Sequence, residues 1–187
     1  PGLKVITVSN PYDAKGLLKS AIRDNDPVLF MESERMYGEK GEIPDGEYLL
    51  PIGVANVAKE GKDVTIVSFG KMMKVALGAA EELAKEGIDA EVIDLRTIRP
   101  WDKAAVLKSV RKTNRLVVVD ENWPFGSVAS EIAYRVQKDA FDYLDAPVLR
   151  INQADTPLPF TPTLIDASLP SVERTVRAVK EVMYLVK

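Results

Sequence analysis

From residue 63 onward, short apolar runs alternate with helix-length amphipathic segments, and this alternation restricts the fold more than any other feature of the chain. The runs Val64–Ser68, Ala90–Leu95, Leu116–Asp120 and Val148–Asn152 are bounded by turn chemistry, as buried strands are. Helices are predicted at Met72–Glu86, Asp102–Lys112, Ser127–Asp139 and Ser171–Leu185. Met72, Val75, Ala76, Ala79 and Leu83 recur at helical spacing. So do Val128, Ile132 and Val136, and again Val172, Val176, Val179 and Met183. Strands alternating with helices of this size imply an α/β fold in three layers, a mostly parallel sheet with helices on both faces.

Residues 4–32 read as a separate strand-helix-strand unit: Lys4–Val8, Asp13–Arg23 and Val28–Glu32. Ala14, Leu17, Leu18, Ala21 and Ile22 share one face of the helix. A parallel pair joined by a helical crossover follows. Two strands cannot bury both faces of a sheet, so the unit needs a partner. Residues 33–62 hold five glycines, two prolines and many charges, and read as an irregular connector with room for short strands. The proline-rich stretch before Ser171 reads as a loop.

The length of 187 residues suits one domain, or one domain plus a piece of another. A net charge of −3 argues against binding driven by nucleic-acid phosphates. No apolar run approaches the roughly 18 residues that suggest a membrane span. Cysteine and histidine are both absent. A self-contained Ser-His-Asp site and a histidine-based zinc site are thereby excluded. Any chemistry of the chain's own falls to carboxylates, lysine, tyrosine or a cofactor. The chain starts at Pro1 and enters a strand almost at once, so it is expected to be a fragment, a cleaved product or a truncation.

Several loops at strand ends carry candidate chemistry. Ser68-Phe69-Gly70-Lys71 joins a strand to a helix, and its N–H groups could hold an anion or merely make the joint. Asp120, Glu121 and Trp123 offer a carboxylate pair beside a stacking surface. Alternatively, Asp120 bonds to backbone in a helix-entry loop and Trp123 packs. Arg96 and Arg99 could grip an anion; equally, Asp102 caps a helix and an arginine makes an internal ion pair. The end of the first helix, Ala21–Asp26, presents carbonyls and carboxylates suited to a hard cation.

Four runs, taken in order, carry a family resemblance. They are PGLKVITVSNPYDAKGLLKSAIRDNDP at 1–27, EVIDLRTIRPWD at 91–102, VVVDENWPFGSVASEI at 117–132 and LDAPVLRINQADTPLP at 144–159. Together they resemble the beta subunits of thiamine-diphosphate-dependent 2-oxo acid dehydrogenases. RTIRP and DENWPFG are closer to the pyruvate branch than to the branched-chain branch. The resemblance implies that residues 1–32 are the tail of a pyrimidine-binding domain, 33–62 a connector, and 63–187 a transketolase C-terminal-like domain. It implies a share in the oxidative decarboxylation of pyruvate on thiamine diphosphate, with acyl transfer to lipoyl-lysine. Alternatives are a branched-chain or acetoin dehydrogenase, or an isolated domain that only folds and associates.

The family's cofactor-contacting glutamate and its histidine precede Pro1. The resemblance therefore assigns no catalytic or cofactor-binding residue to this chain, which alone is expected to be inactive. It places a potassium site at Ala21, Ile22, Asp24 and Asp26, with Asp26 standing where the family has asparagine. Implied partners are an alpha subunit, a second beta subunit and the peripheral binding domain of a dihydrolipoyl acyltransferase. That domain would be met by Asp145 and the C-terminal Lys187. The implied location is bacterial cytoplasm or the mitochondrial matrix.

Overall fold

A computed structural model describes residues 2–186. Two sheets organise them. The larger is formed by β3 (Asn56–Lys59), β4 (Val64–Ser68), β5 (Ala90–Asp94), β7 (Leu116–Val119) and β8 (Leu149–Ile151), in the spatial order β3-β5-β4-β7-β8. All neighbours are parallel except β3, which runs antiparallel to β5. The smaller sheet has the order β2-β1-β6: β1 (Lys4–Thr7) parallel to β2 (Val28–Met31), and β6 (Thr97–Arg99) antiparallel to β1.

The period-2 geometry of a strand sends successive side chains to opposite faces, and each face of the large sheet meets two helices. Val64, Ile66, Val92, Val117 and Val119 pack beneath α2 (Met73–Lys85) and α6 (Val172–Val182), through Ala76, Ala80, Leu83, Ala178, Val179 and Val182. Val67, Ile93, Leu116 and Val118 meet α3 (Lys103–Thr113) and α4 (Val128–Ala140), through Val106, Val110, Ile132 and Val136. The three layers expected from the alternation are present. A fully buried aliphatic side chain contributes about 1.5–3 kcal/mol, so this double-sided core dominates the stability of the chain.

The smaller unit buries Ile6 and Leu17 between its sheet and α1 (Pro11–Ile22). Asn10 caps α1 by accepting from the Asp13 N–H, and Pro11 opens the helix where its missing N–H costs nothing. The connector closes over the helix: a Cβ on Gly16 would lie 2.7 Å from Leu50, so only glycine admits that leucine. Gly61 is equally constrained, since its Cβ would fall 2.3 Å from the Ala90 backbone.

Three elements refine the sequence expectations. The connector, read as having room for short strands, contributes β3 to the large sheet. The loop after β5 contributes β6, which is the extra strand that the first unit needed. The stretch read as a proline-rich loop contains α5 (Pro162–Ser168), two turns opened by Pro162 and too short to show an amphipathic period.

Candidate functional site: the junction at the strand ends

The carboxyl ends of β4 and β7 diverge at the centre of the large sheet, because the chain proceeds from β4 to β5 on one side and returns to β7 on the other. Such a switch point is where open α/β sheets leave a crevice. Here the small sheet roofs it. The resulting cleft, of about 270 Å³, is lined by Phe69, Gly70, Lys71, Glu121 and Asn122 below, and by Val5, Thr7, Met31, Glu32 and Ser33 above.

Its polar groups are mostly spoken for. Ser68 is buried and donates to the Val119 carbonyl at 2.9 Å. Lys71 pairs with Glu121 at 2.5 Å, tying the loop after β4 to the loop after β7. Asp120 does not share a site with Glu121. It is fully buried and accepts from Asn122 N at 3.0 Å, Asn122 Nδ2 at 2.7 Å and Ala129 N at 3.1 Å. It therefore anchors the entry to α4, and Trp123 packs outward with Nε1 donating to the Thr156 carbonyl at 2.7 Å. Asp102 caps α3 through Ala105 N at 2.9 Å and also accepts from Ala55 N at 3.0 Å. Arg99 is exposed on β6.

Arg96 makes the internal ion pair, and its partner lies 83 positions away in the first unit. Nη2 sits 2.8 Å from Asp13 Oδ1; Asp13 is fully buried and the Arg96 side chain largely so. Asn10 Nδ2 donates to the other Asp13 oxygen at 2.7 Å. Arg96 has φ +59°, a left-handed conformation that costs a non-glycine residue about 1–2 kcal/mol. The position is held by Arg96 N donating to Asp94 Oδ1 at 2.9 Å and by the Arg96 carbonyl accepting from Thr7 N at 2.8 Å. Ser9 Oγ donates to Asp94 Oδ2. Burial pushes the Asp94 carboxyl up to about 6, against the hydrogen bonds from Ser9 and Arg96 N; neighbouring Asp13 also raises it. Two buried carboxylates and one guanidinium thus join the units. Sequence reasoning missed this cluster, because Asp13 reads as a helix-start acid and Asp94 as the polar end of an apolar run.

At the end of α1, Lys4 Nζ lies 2.7 Å from Asp24 Oδ1 and 2.9 Å from Asp26 Oδ2. Its hydrogen bond holds Asp24 below the usual carboxylate range, and the two aspartates raise Lys4. The Ala21 carbonyl accepts from Asp24 N at 3.3 Å. Asp145 pairs with Arg115 at 3.1 Å beside a groove lined by Phe141, Leu144 and Pro147, and its carbonyl accepts from Tyr184 Oη. Lys187 lies outside the described residues. No cluster of three or more acidic side chains suited to a metal ion occurs among the described residues. No helix among them is long and apolar enough to cross a membrane.

Residues 53–175 match the family model of the transketolase C-terminal domain. The chain belongs to that family. It is 54% identical to the pyruvate dehydrogenase E1 component subunit beta-1, mitochondrial, of Oryza sativa subsp. japonica, over 98% of this chain and 50% of the relative. It is 53% identical to the corresponding subunit beta of Rhizobium meliloti (strain 1021), over 98% and 40%. It is also 50% identical to the beta subunit of an acetoin:2,6-dichlorophenolindophenol oxidoreductase of Cupriavidus necator, over 98% and 54%. The chain spans about half the length of the curated relatives it matches. Among solved structures, the whole chain superposes on 59% of one titled "Split gene transketolase, inactive beta4 tetramer", with a TM-score of 0.80 and 26% identity.

Proposed function

We propose that this chain is the C-terminal part of the beta subunit of a pyruvate dehydrogenase-type decarboxylase. The observation that carries the reading is the 54% identity running along nearly the whole chain. In the complete enzyme, thiamine diphosphate would supply the carbanion-stabilising chemistry of decarboxylation. The residues described do not fit that group as a primary site. The cleft at the strand ends offers one cation, Lys71, and Glu121 neutralises it. The chain has no histidine. Its own share is structural: the large sheet is a rigid platform, and the Asp13–Arg96–Asp94 cluster sets the angle at which the first unit meets it.

Partners in this reading are an alpha subunit, a second beta subunit and an acyltransferase's peripheral domain. Docking of that domain at Asp145 would draw the carboxylate from Arg115. Potassium at Ala21, Ile22, Asp24 and Asp26 would require Lys4 to release two carboxylates. The acetoin enzyme is the second reading, carried by its 50% identity over the same span.

Reconstitution tests the proposal. The chain is combined with the alpha subunit and with a polypeptide supplying the other half of the relatives' beta-subunit length. Pyruvate-dependent dye reduction is expected from the mixture and none from the chain alone. Turnover of acetoin but not pyruvate would favour the second reading. Micromolar thiamine diphosphate binding by the isolated chain in calorimetry would overturn the assignment of the cofactor site to other parts of the enzyme.

A further inference from the structure

The junction between the two units buries more negative charge than positive. Asp13 on α1 and Asp94 at the end of β5 are 0% and 1% exposed, and one guanidinium, that of Arg96, acts on both. With both carboxylates ionised, one charge is left uncompensated in a site poor in water, where like charges oppose each other most strongly. The surrounding elements do not relieve it. Opposite Asp94 in register stand Asn56 on β3 and Ser68 on β4, neither of them charged. Ser9, in the loop before α1, offers only its hydroxyl. Asp102 at the start of α3 gives its oxygens to Ala55 N and Ala105 N, and Lys71 after β4 is taken by Glu121.

The same residues hold the units together. Asp13 pairs with Arg96, Ser9 Oγ donates to Asp94, and Thr7 N donates to the Arg96 carbonyl. Arg96 is also the turn from β5 into β6, the strand that pairs with β1. Whether Arg96 stays seated therefore decides whether β1 does. Its seat is incomplete. The residue holds φ +59°, and its buried Nε finds no hydrogen-bond partner among the described residues. A buried network satisfied only in part loses least by admitting water.

We infer that Asp94 is a proton-operated latch between the two units: neutral, it keeps the first unit on the large sheet, and ionised, it admits water and lets the unit part from it. One proton on Asp94 balances the cluster and leaves the Asp13–Arg96 pair intact. The cleft at the strand ends widens as the latch releases, because Val5, Thr7 and Met31 on its roof belong to the first unit. Burial, with Asp13 adding to it, holds the Asp94 carboxyl at about 6 while the junction is closed. Once open, the carboxyl meets water and returns toward 3.8. Opening therefore releases a proton, grows more favourable as pH rises through this interval, and levels off above it.

Hydrogen exchange of the 187-residue chain tests the latch, read as protection factors so that the pH dependence of chemical exchange is removed. From about pH 4.5 to about pH 7.5, the open population over residues 4–31 is expected to rise at least about tenfold, as linkage to a carboxyl shifted from 3.8 to about 6 requires. Protection of β4, β5 and β7 is expected to hold. Asp94→Asn keeps the size and one acceptor but cannot ionise, and is expected to keep residues 4–31 closed at both ends of the range. Ser9→Ala removes a donor that favours the ionised form, and is expected to move the rise to higher pH. A flat profile in the wild type, the same rise in Asp94→Asn, or a rise that Ser9→Ala leaves in place would overturn the latch. Equal loss of protection in both units would overturn it too, since the proton would then govern unfolding of the whole chain.

Discussion

In the large sheet every residue of β4, β5 and β7 is buried; in the small sheet β2 alternates between half-buried and exposed, and Leu29 and Met31 are half open to solvent. Both sheets contain parallel pairs. The difference lies in what covers them. Four helices sandwich the large sheet, whereas the small one has α1 on one face and the cleft on the other. The small unit's position depends on borrowed parts: strand β6, the connector's Leu50, and the Asp13–Arg96 pair. One region supports itself through area, and the other is held by a few specific contacts.

The sharpest way to break this comparison is Arg96→Ala. It leaves Asp13 buried without its charge partner, which costs about 3–5 kcal/mol. The loss should be local: hydrogen exchange should accelerate across residues 4–31 while β4, β5 and β7 stay protected. Uniform acceleration would mean that the two regions unfold as one. Ile66→Ala, in the centre of the large sheet, should cost about 2–5 kcal/mol and lower the whole denaturation midpoint.

Asp94 tests the junction through pH. Its folded-state pKa, about 6, lies above the ordinary 3.8. The folded chain therefore binds the proton more tightly than the unfolded chain does. Asp94's contribution is most favourable below pH 3.8 and is lost as pH rises through about 6, by ~3 kcal/mol at most. Asp94→Asn should accordingly gain on wild type in urea midpoint between pH 4 and 7, and the two curves should run parallel above pH 7. A constant offset across that range would show that burial does not control this carboxyl. The smallest effect is expected at Leu29→Ser on the open face, within about 0.5 kcal/mol. A loss comparable to Ile66→Ala would show that the face is covered in solution.

Much of the fold was legible in the chain. Apolar runs marked β4, β5, β7 and β8 within a residue or two; the first three are buried along their length, which favours mainly apolar sequence, whereas β8 lies at the edge and exposes Arg150. Helical spacing marked α2, α4 and α6, while the alternation placed α3 and local chemistry pointed to Asp102 as its cap. Membership of the transketolase C-terminal domain family was legible too, since it rests on the order of whole segments. The strands β3 (NVAK) and β6 (TIR) were not, because edge strands three or four residues long need no apolar pattern and take their geometry from the neighbour they pair with. The choice at Asp120 between acid-base pair and helix anchor was also settled only in space, by the N–H groups of Asn122 and Ala129 and by Lys71's claim on Glu121. The meeting of Asp13 with Arg96 and of Ser9 with Asp94 joins residues more than 80 positions apart. Local propensity carries no information about such pairs. The path of the chain around the large sheet brings them together, and burial then gives the few charges there their weight.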